Sequence, residues 1–324
     1  MSKPALLQTG PMMALIEKEL NAAFIVHKVA KPADLEGVLA ASAGSIEAVC
    51  TGGHTGVKTD AALMARLPKL KVIGNFGVGY DSIDAAAAAK RGVIVTNTPD
   101  VLTEEVADTA LGLLLMTVRE FGQAEQYLRA GRWGTEGDYR LTPQSLRDRS
   151  LGMVGYGRIG KAIAKRAAAF GMPISCFGRA KQSDGAYPFY NDLAAMARDV
   201  DTLMVITPGG PQTKGLVSRS VLEALGPRGI VVNIARGSVV DEAALIDALH
   251  KGTIWGAGLD VMYNEPNIDP ALLKLPNTVL LPHVGSASIH TRNGMGQLVA
   301  DNLKAYAARK APLTPVPETP FKAW

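Results

Sequence analysis

The sequence predicts an α/β protein built from two doubly wound parallel sheets. Three observations support this fold class. Short β-branched runs alternate with helical patterns along most of the 324 residues, as in parallel sheets covered by helices. The candidate strands of the second half are continuous apolar runs, typical of strands buried on both faces. A glycine-rich segment, GMVGYGRIG at residues 152–160, joins one of those strands to a helical pattern.

The composition excludes several other classes of protein. The 34 basic and 30 acidic residues are interleaved and give a net charge of +4, so we expect no nucleic-acid partner. The longest apolar stretch, residues 110–118, is shorter than the roughly 20 residues that span a bilayer, so we expect no membrane association. Cys50 and Cys176 lie in apolar runs, which predicts reduced core thiols in the cytoplasm and neither a disulfide nor a metal site.

The first hundred residues predict one α/β domain. The helical patterns between its strands include MMALIEKEL and an alanine-rich run that ends at Gly92. The last patterned helix, residues 289–308, has no strand after it, so we expect it to return to this domain. The predicted first domain is therefore discontinuous, comprising residues 1–98 and 290–324. Its candidate strands are ALLQ, FIVHKV, AVCTG, KVIGNF and VIVTN.

The second predicted domain covers residues 99–289. It opens with a helix over residues 103–119, with Thr103 as the expected N-cap and two glutamates in the first turn. A loop rich in glycine and charge, residues 130–143, follows this helix. The strand candidates after the loop are LGMVG, ISCF, TLMVI, IVVNIA, GAGLDV and VLLPH.

The glycine-rich segment has the spacing of a dinucleotide-binding turn, which makes this domain Rossmann-like. Gly155 permits a tight turn, Gly157 allows a pyrophosphate to approach the backbone, and Gly160 allows close packing of helix and strand. The first N–H groups of the helix would then bind the pyrophosphate. The alternative is a purely structural glycine turn. The intervening residues Tyr156, Arg158 and Ile159 are also candidate cofactor contacts.

The charge at the end of the next strand predicts which dinucleotide binds. A carboxylate at this position bonds the adenosine ribose and repels a 2′-phosphate, but ISCF is followed by Gly178 and Arg179. Arg179 and the nearby Lys181 can pair with that phosphate, so the sequence predicts NADP(H). The alternative is that Arg179 is an ordinary solvated arginine.

Three further functional groups follow predicted strand ends, where open α/β sheets bind ligands. Arg236 can hold a carboxylate, and His283 can exchange a proton with a reacting oxygen. Glu265, if bonded to the far ring nitrogen, would favour the charged imidazole. Taken singly, each could be a solvated loop residue or a satisfied core residue. We expect no such role for the other histidines, although His54 lies in a glycine-rich loop that could border a cleft; they are His27, His54, His250 and His290.

On these motifs the chain resembles the D-isomer-specific 2-hydroxyacid dehydrogenase family over essentially its whole length. The segments that carry the resemblance are NFGVGYDSID, GMVGYGRIG, NIARGSVVDE, DV…NEP and PH…GS. Within the family it is most similar to the NADPH-dependent glyoxylate/hydroxypyruvate reductases, because Gly-Arg replaces the ribose-binding acid. The resemblance implies that residues 1–98 and 290–324 bind substrate, that residues 99–289 bind the dinucleotide, and that the protein is a homodimer.

The resemblance also implies roles for individual residues. Arg236, Glu265 and His283 would be the catalytic set, and the N–H groups of Val78 and Gly79 would receive the substrate carboxylate. Trp133 would lie near the active site of a partner subunit, or would simply anchor the dimer interface. The remaining implied cofactor contacts are Asp260 and the carbonyl of Ala235 at the carboxamide, the neighbouring Ile234, and Thr207 and Pro208 beside the adenosine.

Two other functions remain open on the sequence. One is reduction of bulkier 2-oxo acids such as 4-hydroxyphenylpyruvate. The other is a dinucleotide-sensing binding module with little turnover, as in some relatives of these enzymes. Retention of all three catalytic residue types and the absence of long interaction tails favour the enzyme.

Overall fold

The structure, a computed structural model, describes residues 3–147, 149–179 and 185–324. The chain divides into two compact units. Unit 1 comprises residues 1–102 and 288–324, and unit 2 comprises residues 103–287. The chain therefore passes from one unit to the other just before a helix in both cases, at 102/103 and 287/288. The boundaries predicted from the sequence are 98/99 and 289/290.

Unit 1 contains a parallel sheet in the order β2-β1-β3-β4-β5. The strand order reverses between β1 and β3, so the carboxyl ends of these strands flank a crevice. Four helices, α1–α4, connect the strands, and the last helix of the chain packs against β4 and β3. The strands are β1 (Ala5–Gln8), β2 (Ile25–Lys28), β3 (Ile46–Thr51), β4 (Val72–Asn75) and β5 (Ile94–Thr96). The connecting helices are α1 (Ala14–Ala23), α2 (Leu35–Ser42), α3 (Ala61–Ala65) and α4 (Ala85–Lys90).

Unit 2 contains a parallel sheet in the order β12-β11-β10-β9-β6-β7-β8. The order reverses between β6 and β9, and the glycine-rich segment follows β6 at this point. The strands are β6 (Leu151–Val154), β7 (Ile174–Phe177), β8 (Phe189–Tyr190), β9 (Thr202–Val205), β10 (Ile230–Asn233), β11 (Gly256–Leu259) and β12 (Thr278–Leu280).

Helices cover both faces of this sheet. Helix α5 packs against α8, β10 and β11, and its close approach depends on Gly258, where a Cβ would lie 2.7 Å from Thr117 Oγ1. Helices α9, α10 and α11 pack side by side over a cluster of buried apolar residues of unit 2. The helices are α5 (Thr103–Arg119), α6 (Phe121–Arg129), α7 (Arg132–Glu136), α8 (Arg158–Ala169), α9 (Leu193–Asp199), α10 (Arg219–Leu225), α11 (Glu242–Lys251) and α12 (Pro270–Leu273). The last helix of the chain, α13 (Ile289–Ala307), belongs to unit 1.

The predicted fold class, two doubly wound parallel sheets, is confirmed. Two local predictions were wrong. Thr103 is the first residue of α5 and not its N-cap, and the predicted loop over residues 130–143 contains the short helix Arg132–Glu136. That helix has no buried residue, so no apolar periodicity could indicate it. Over the described ranges, no helix has the length and apolar content needed to cross a membrane.

Candidate active site

The glycine-rich segment forms the turn between β6 and α8. Gly155 has a φ of +106°, and a Cβ there would lie 2.9 Å from Thr207 N. At Gly160 a Cβ would lie 2.8 Å from the carbonyl oxygen of Gly155, so the first turn of α8 packs directly on the loop. These two glycines are therefore required by the protein's own packing.

Gly157 differs from its two neighbours. It is the N-cap of α8, its φ is −83°, and a Cβ there would meet no described atom within 4 Å. The open space in front of the first N–H groups of α8 is where a pyrophosphate binds in a dinucleotide-binding fold. The turn therefore fits a dinucleotide. Tyr156 and Ile159 are half-buried, and Arg158 is exposed.

The predicted ribose-binding position lies beside this turn. Phe177, the last residue of β7, accepts a hydrogen bond from Gly155 N at 2.9 Å through its carbonyl oxygen. Gly178 and Arg179 follow directly, and Arg179 is exposed. The prediction for Lys181 lies outside the described residues. At this position after β7 the chain therefore has an arginine in place of the carboxylate that would exclude a 2′-phosphate.

The loop after β9 completes this end of the site. The backbone of Thr207 leaves no room for a Cβ on Gly155, and Pro208 is exposed. Thr213 Oγ1 donates a hydrogen bond to the carbonyl oxygen of Pro208 at 2.7 Å, which closes the glycine-rich loop on itself. Thr207 and Pro208 follow β9 and Arg179 follows β7, and these two strands lie on opposite sides of β6.

His283 and Glu265 are brought together from separate loops of unit 2. Glu265 Oε2 lies 2.7 Å from His283 Nδ1, which leaves Nε2 as the outer ring nitrogen. Glu265 Oε1 accepts a hydrogen bond from Met262 N at 2.9 Å, so both carboxylate oxygens are engaged. The imidazole remains about half exposed, with 48% of its side-chain surface accessible. This geometry fixes the ring and presents Nε2 for proton exchange.

The charge on Glu265 is favoured by its surroundings. Burial raises the pKa of this carboxyl, but the hydrogen bond and charge of His283 lower it. The Met262 N–H and the charge of Arg236 act in the same direction, and the net pKa lies below its usual value. Glu265 is therefore held as a carboxylate beside the imidazole.

Asp260 supports the loop that carries His283. Its Oδ1 accepts from Val284 N at 2.7 Å, and its Oδ2 accepts from Gly285 N at 2.8 Å. Its carbonyl oxygen accepts from His283 N at 2.9 Å. His283 has a φ of +56°, a left-handed conformation that costs a non-glycine residue roughly 1–2 kcal/mol, and these three bonds stabilise it. Burial raises the pKa of the Asp260 carboxyl despite the two N–H donors.

Arg236 begins the turn after β10. Its Nη1 donates to the carbonyl oxygen of Ala235 at 2.7 Å, so this predicted carboxamide acceptor already has a donor. Asn233 forms the turn, because its amide donates to the Arg236 carbonyl at 3.0 Å and accepts from Ala235 N at 3.1 Å. Gly237 packs so closely on the Met262 backbone that a Cβ on Gly237 would lie 1.9 Å from the carbonyl carbon of Met262. Ile234 is buried beside Gly285.

In unit 1, Val78 and Gly79 lie in the loop after β4. Asn75 Nδ2 donates to the carbonyl oxygens of Gly77 and Gly79, at 2.9 and 3.0 Å. Asn97 Nδ2 donates to the Val78 carbonyl at 2.9 Å. Within the described part of this unit, the N–H groups of Val78 and Gly79 have no acceptor. The carbonyl oxygens of this loop therefore accept bonds from the two asparagine side chains, and two adjacent backbone N–H groups remain as donors. Such a pair of donors is suited to binding an anion.

Sequence reasoning missed the residues that support these groups. Asn75 and Asn233 are fully buried at strand ends and shape their turns through side-chain amides. An asparagine that ends a buried strand just before a glycine-containing turn is the signal that could have identified both.

Trp133 is exposed and donates to Asp138 Oδ1 at 3.1 Å. In the described residues no group of three potential metal ligands is found.

A pyrophosphate cradle and an acid–imidazole pair occupy the carboxyl edge of one doubly wound sheet. This combination defines the class of dinucleotide-dependent oxidoreductases, because such enzymes couple cofactor binding to proton exchange at the substrate. The sequence profile described as D-isomer specific 2-hydroxyacid dehydrogenase, NAD binding domain, matches residues 111–285. The chain belongs to this family, which confirms the resemblance and the enzyme class predicted from the sequence.

Relatives with narrower names are similar over the full length. The NADPH-dependent glyoxylate/hydroxypyruvate reductase of Sinorhizobium meliloti, solved with NADP and malonate, superposes with a TM-score of 0.92 at 47% identity, over 100% of this chain and 99% of that one. Glyoxylate/hydroxypyruvate reductase A of Arabidopsis thaliana is 42% identical over 98% of this chain and all of its own length. Hydroxyphenylpyruvate reductase of Plectranthus scutellarioides is also 42% identical, over 96% of this chain and 98% of its own length.

Proposed function

We propose that this protein reduces small 2-oxo acids, with glyoxylate and hydroxypyruvate first among them, to D-2-hydroxy acids at the expense of NADPH. The observation that carries the proposal is the 2.7 Å contact between Glu265 and His283 on the same sheet edge as the open glycine turn. The names of the Sinorhizobium and Arabidopsis relatives support the substrate class.

The bound cofactor supplies a hydride to the substrate carbonyl carbon. In the reaction we propose, His283 Nε2 donates a proton to the carbonyl oxygen as it becomes an alkoxide. Glu265 holds the opposite nitrogen and stabilises the charged ring before transfer. Arg236 binds the substrate carboxylate through its forked donors, and the N–H groups of Val78 and Gly79 receive the same carboxylate. Asp260 also offers a buried acceptor for the nicotinamide carboxamide.

Preference for NADPH over NADH rests on Arg179. Its guanidinium can form charge-assisted bonds with a 2′-phosphate, and Gly178 adds no side chain that would occupy the space. The Sinorhizobium relative, solved with NADP, supports this assignment. Arg158 and Lys181 are further candidates for the same phosphate.

The proposed function is tested by rates with NADPH and NADH across 2-oxo acids of increasing side-chain size. We expect NADPH to be oxidised fastest with glyoxylate or hydroxypyruvate, and His283→Ala to lower turnover by about 10²–10⁴ while NADPH binding is kept. No turnover with any oxo acid, together with peptide binding that follows cofactor occupancy, would favour the binding-module alternative.

The cofactor preference has a separate test. Arg179→Ala should weaken NADPH binding by about ten- to a hundredfold and leave NADH binding nearly unchanged, because only NADPH carries the 2′-phosphate. Binding is measured by nicotinamide fluorescence, with Arg198→Ala, an exposed arginine of α9, as the control. Equal losses for both cofactors would contradict the assignment.

A second candidate is reduction of 4-hydroxyphenylpyruvate. The Plectranthus relative bears that activity in its name and is as similar as the Arabidopsis reductase. The same panel of oxo acids separates the two, because the aromatic substrate would then have the highest kcat/KM.

We also propose that the protein is a homodimer of the cytoplasm. Helices α6 and α7 have no buried residue, yet this segment exposes large apolar side chains. They are Phe121, Leu128, Trp133 and Leu141, with 47%, 55%, 58% and 94% of their surfaces accessible. Exposed apolar surface of this kind marks an interaction site, and the family resemblance favours a second copy as its partner. The buried thiols of Cys50 and Cys176, which are not joined in a disulfide, agree with a reducing compartment.

A further inference from the structure

The chain after α13 returns to the sheet of unit 1 through a proline-rich segment, residues 312–320. It pairs with β5 in antiparallel fashion, with Pro315 opposite Thr96. Val316 N donates to the Val95 carbonyl oxygen at 2.9 Å, and Thr319 Oγ1 accepts from Val95 N at 2.9 Å. Val316 and Thr319 are buried, so the segment is a packed edge of this sheet.

The start of the proline-rich segment is fixed by Asn302, a fully buried residue of α13. Asn302 Oδ1 accepts from Leu313 N at 2.9 Å and from Thr314 N at 3.0 Å. Its Nδ2 donates to Thr314 Oγ1 at 2.8 Å. The prolines fix φ along the segment, so it loses little conformational entropy when it is ordered. Thr314 is therefore held in a defined position.

Thr314 in turn fixes Asn97, the residue that follows β5. Thr314 Oγ1 donates to the Asn97 carbonyl oxygen at 2.7 Å, and Asn97 N donates to the Thr314 carbonyl oxygen at 3.3 Å. The side chain of Asn97 then donates through Nδ2 to the Val78 carbonyl oxygen at 2.9 Å. A continuous series of hydrogen bonds thus connects the proline-rich segment to the loop of Val78 and Gly79.

The Val78 carbonyl and the Gly79 N–H belong to the same peptide unit. A peptide unit is planar, so the direction of its C=O fixes the direction of its N–H. Asn97 therefore orients the Gly79 donor. The Val78 donor shares its peptide unit with the Gly77 carbonyl, which accepts from Asn75 Nδ2 at 2.9 Å. The two donors are thus set by different asparagines, and the hold on Gly79 leads back to the proline-rich segment.

A second contact of the segment reaches the residue after Gly79. Tyr80 OH donates to the Glu318 carboxylate, at 3.0 Å from Oε2 and 3.2 Å from Oε1. Tyr80 also packs against the apolar core of unit 1. The proline-rich segment therefore restrains the loop at Val78 and at Tyr80, before and after Gly79.

Resting on the proposed function, we propose that the proline-rich segment orients the Gly79 N–H toward the substrate carboxylate, with Thr314 and Glu318 as positioning residues. Thr314 acts through Asn97, and Glu318 acts through Tyr80. A hydrogen bond weakens steeply when its angle becomes poor, so a small rotation of this peptide unit lowers the affinity for the carboxylate. Residues that do not themselves bind substrate thereby influence its KM.

The test makes the same substitution at two threonines of the segment. Thr314→Val removes the hydroxyl that bonds Asn97, whereas Thr319→Val, the matched control, removes the hydroxyl that bonds Val95. We expect Thr314→Val to raise the KM for glyoxylate about five- to tenfold, with kcat within about twofold of wild type and NADPH affinity unchanged. Thr314→Ser keeps the hydroxyl and should have the wild-type KM. Thr319→Val should lower Tm and leave KM unchanged.

The exposed Glu318 provides an independent test. Glu318→Ala and Tyr80→Phe remove the same hydrogen bond, so each should raise the KM for glyoxylate, by about two- to fivefold. The double variant should show no larger rise than the stronger of the two single variants, because the two residues act through one bond. Additive effects would show that Glu318 does not act through Tyr80.

An unchanged KM in Thr314→Val, an equal rise in Thr319→Val, or a Thr314→Ser enzyme as impaired as Thr314→Val would overturn the inference, while glyoxylate reduction by the wild-type enzyme still upheld the proposed function. Circular dichroism shows whether each variant is folded, and if Thr314→Val is not, the Glu318 and Tyr80 variants decide. Absence of all oxo-acid reduction by the wild-type enzyme would refute the proposed function and, with it, this inference.

Discussion

Glu265 shows how much a single carboxylate can organise. It joins the loop of Met262 to the imidazole of His283, and its lowered pKa reflects that attachment. Asp260 has the complementary role, because its three acceptor oxygens hold the strained backbone of the His283 loop. A residue expected from the resemblance to contact the cofactor thus has a defined structural function as well.

The lowered pKa of Glu265 predicts a pH-dependent contribution to stability. A carboxyl with a depressed folded-state pKa stabilises the fold above its unfolded pKa of about 4.3, and the contribution is lost as the pH falls through the folded-state pKa. Glu265→Gln should therefore lower Tm at pH 5.5, and the difference from wild type should shrink as the pH falls below about 4. Thermal denaturation across this range is the measurement. Glu223→Gln, at an exposed glutamate of α10, is the control.

At the scale of elements, the turn between β6 and α8 contains glycines that serve packing and a glycine that serves binding. Gly155 and Gly160 face the protein's own backbone, whereas Gly157 faces open space. The three glycines of one motif therefore have different physical reasons to be glycine.

Matched substitutions in this turn should separate the two effects. Gly155→Ala should lower both Tm and NADPH affinity, because its positive φ and the Thr207 backbone exclude a Cβ. Gly157→Ala should keep Tm within a few degrees and weaken NADPH binding at least tenfold, because the Cβ enters the pyrophosphate space. Calorimetry and cofactor titration measure both. Unimpaired NADPH binding by Gly157→Ala would contradict the placement of the pyrophosphate.

Arg149 lies at the amino ends of the strands of the unit 2 sheet, opposite the candidate site, and only 1% of its surface is accessible. Its Nη1 donates to the Asp201 carbonyl at 2.7 Å and to Thr202 Oγ1 at 3.1 Å. Its Nη2 donates to the Arg228 carbonyl at 3.1 Å. One side chain before β6 thereby connects the starts of β9 and β10. Burial lowers the pKa of this guanidinium to about 10.

Arg149→Met should lower the free energy of unfolding by about 3 kcal/mol, because buried carbonyl groups lose their donor. Chemical denaturation followed by circular dichroism measures the loss. Arg198→Met, at an exposed position of the same unit, is the control. A variant as stable as the control would show that these bonds contribute little.

At the scale of the whole molecule, the parallel sheets decide where function lies. Each sheet reverses its strand order once, and the loops with candidate functional groups follow the carboxyl ends of the strands. The exposed apolar surface of α6 and α7 belongs to this scale too, because no residue in the described part of unit 2 buries it.

The proposed dimer can be tested through that surface. Leu141→Glu combined with Leu128→Glu should convert the protein to a monomer in sedimentation, because a charged group buried at an apolar interface is costly. Leu313→Glu, at a position of unit 1 that is also exposed, at 60%, should leave the mass unchanged. A wild-type protein that sediments as a monomer would contradict the proposal.

The sequence by itself determined the two parallel sheets, the long helices α5 and α13, the glycine turn and the three residue types of the candidate site. Those features are local, since they depend on apolar periodicity, on glycine at a tight turn, or on a functional group after a strand. Only the tertiary structure decided that Asp260 binds the His283 loop, that Asn75 turns the carbonyls of its loop inward, and that Thr314 binds Asn97. Each of these contacts depends on how strands and helices pack, or on the exact backbone path of a loop. The spacing of residues along the chain specifies neither the packing nor the loop path.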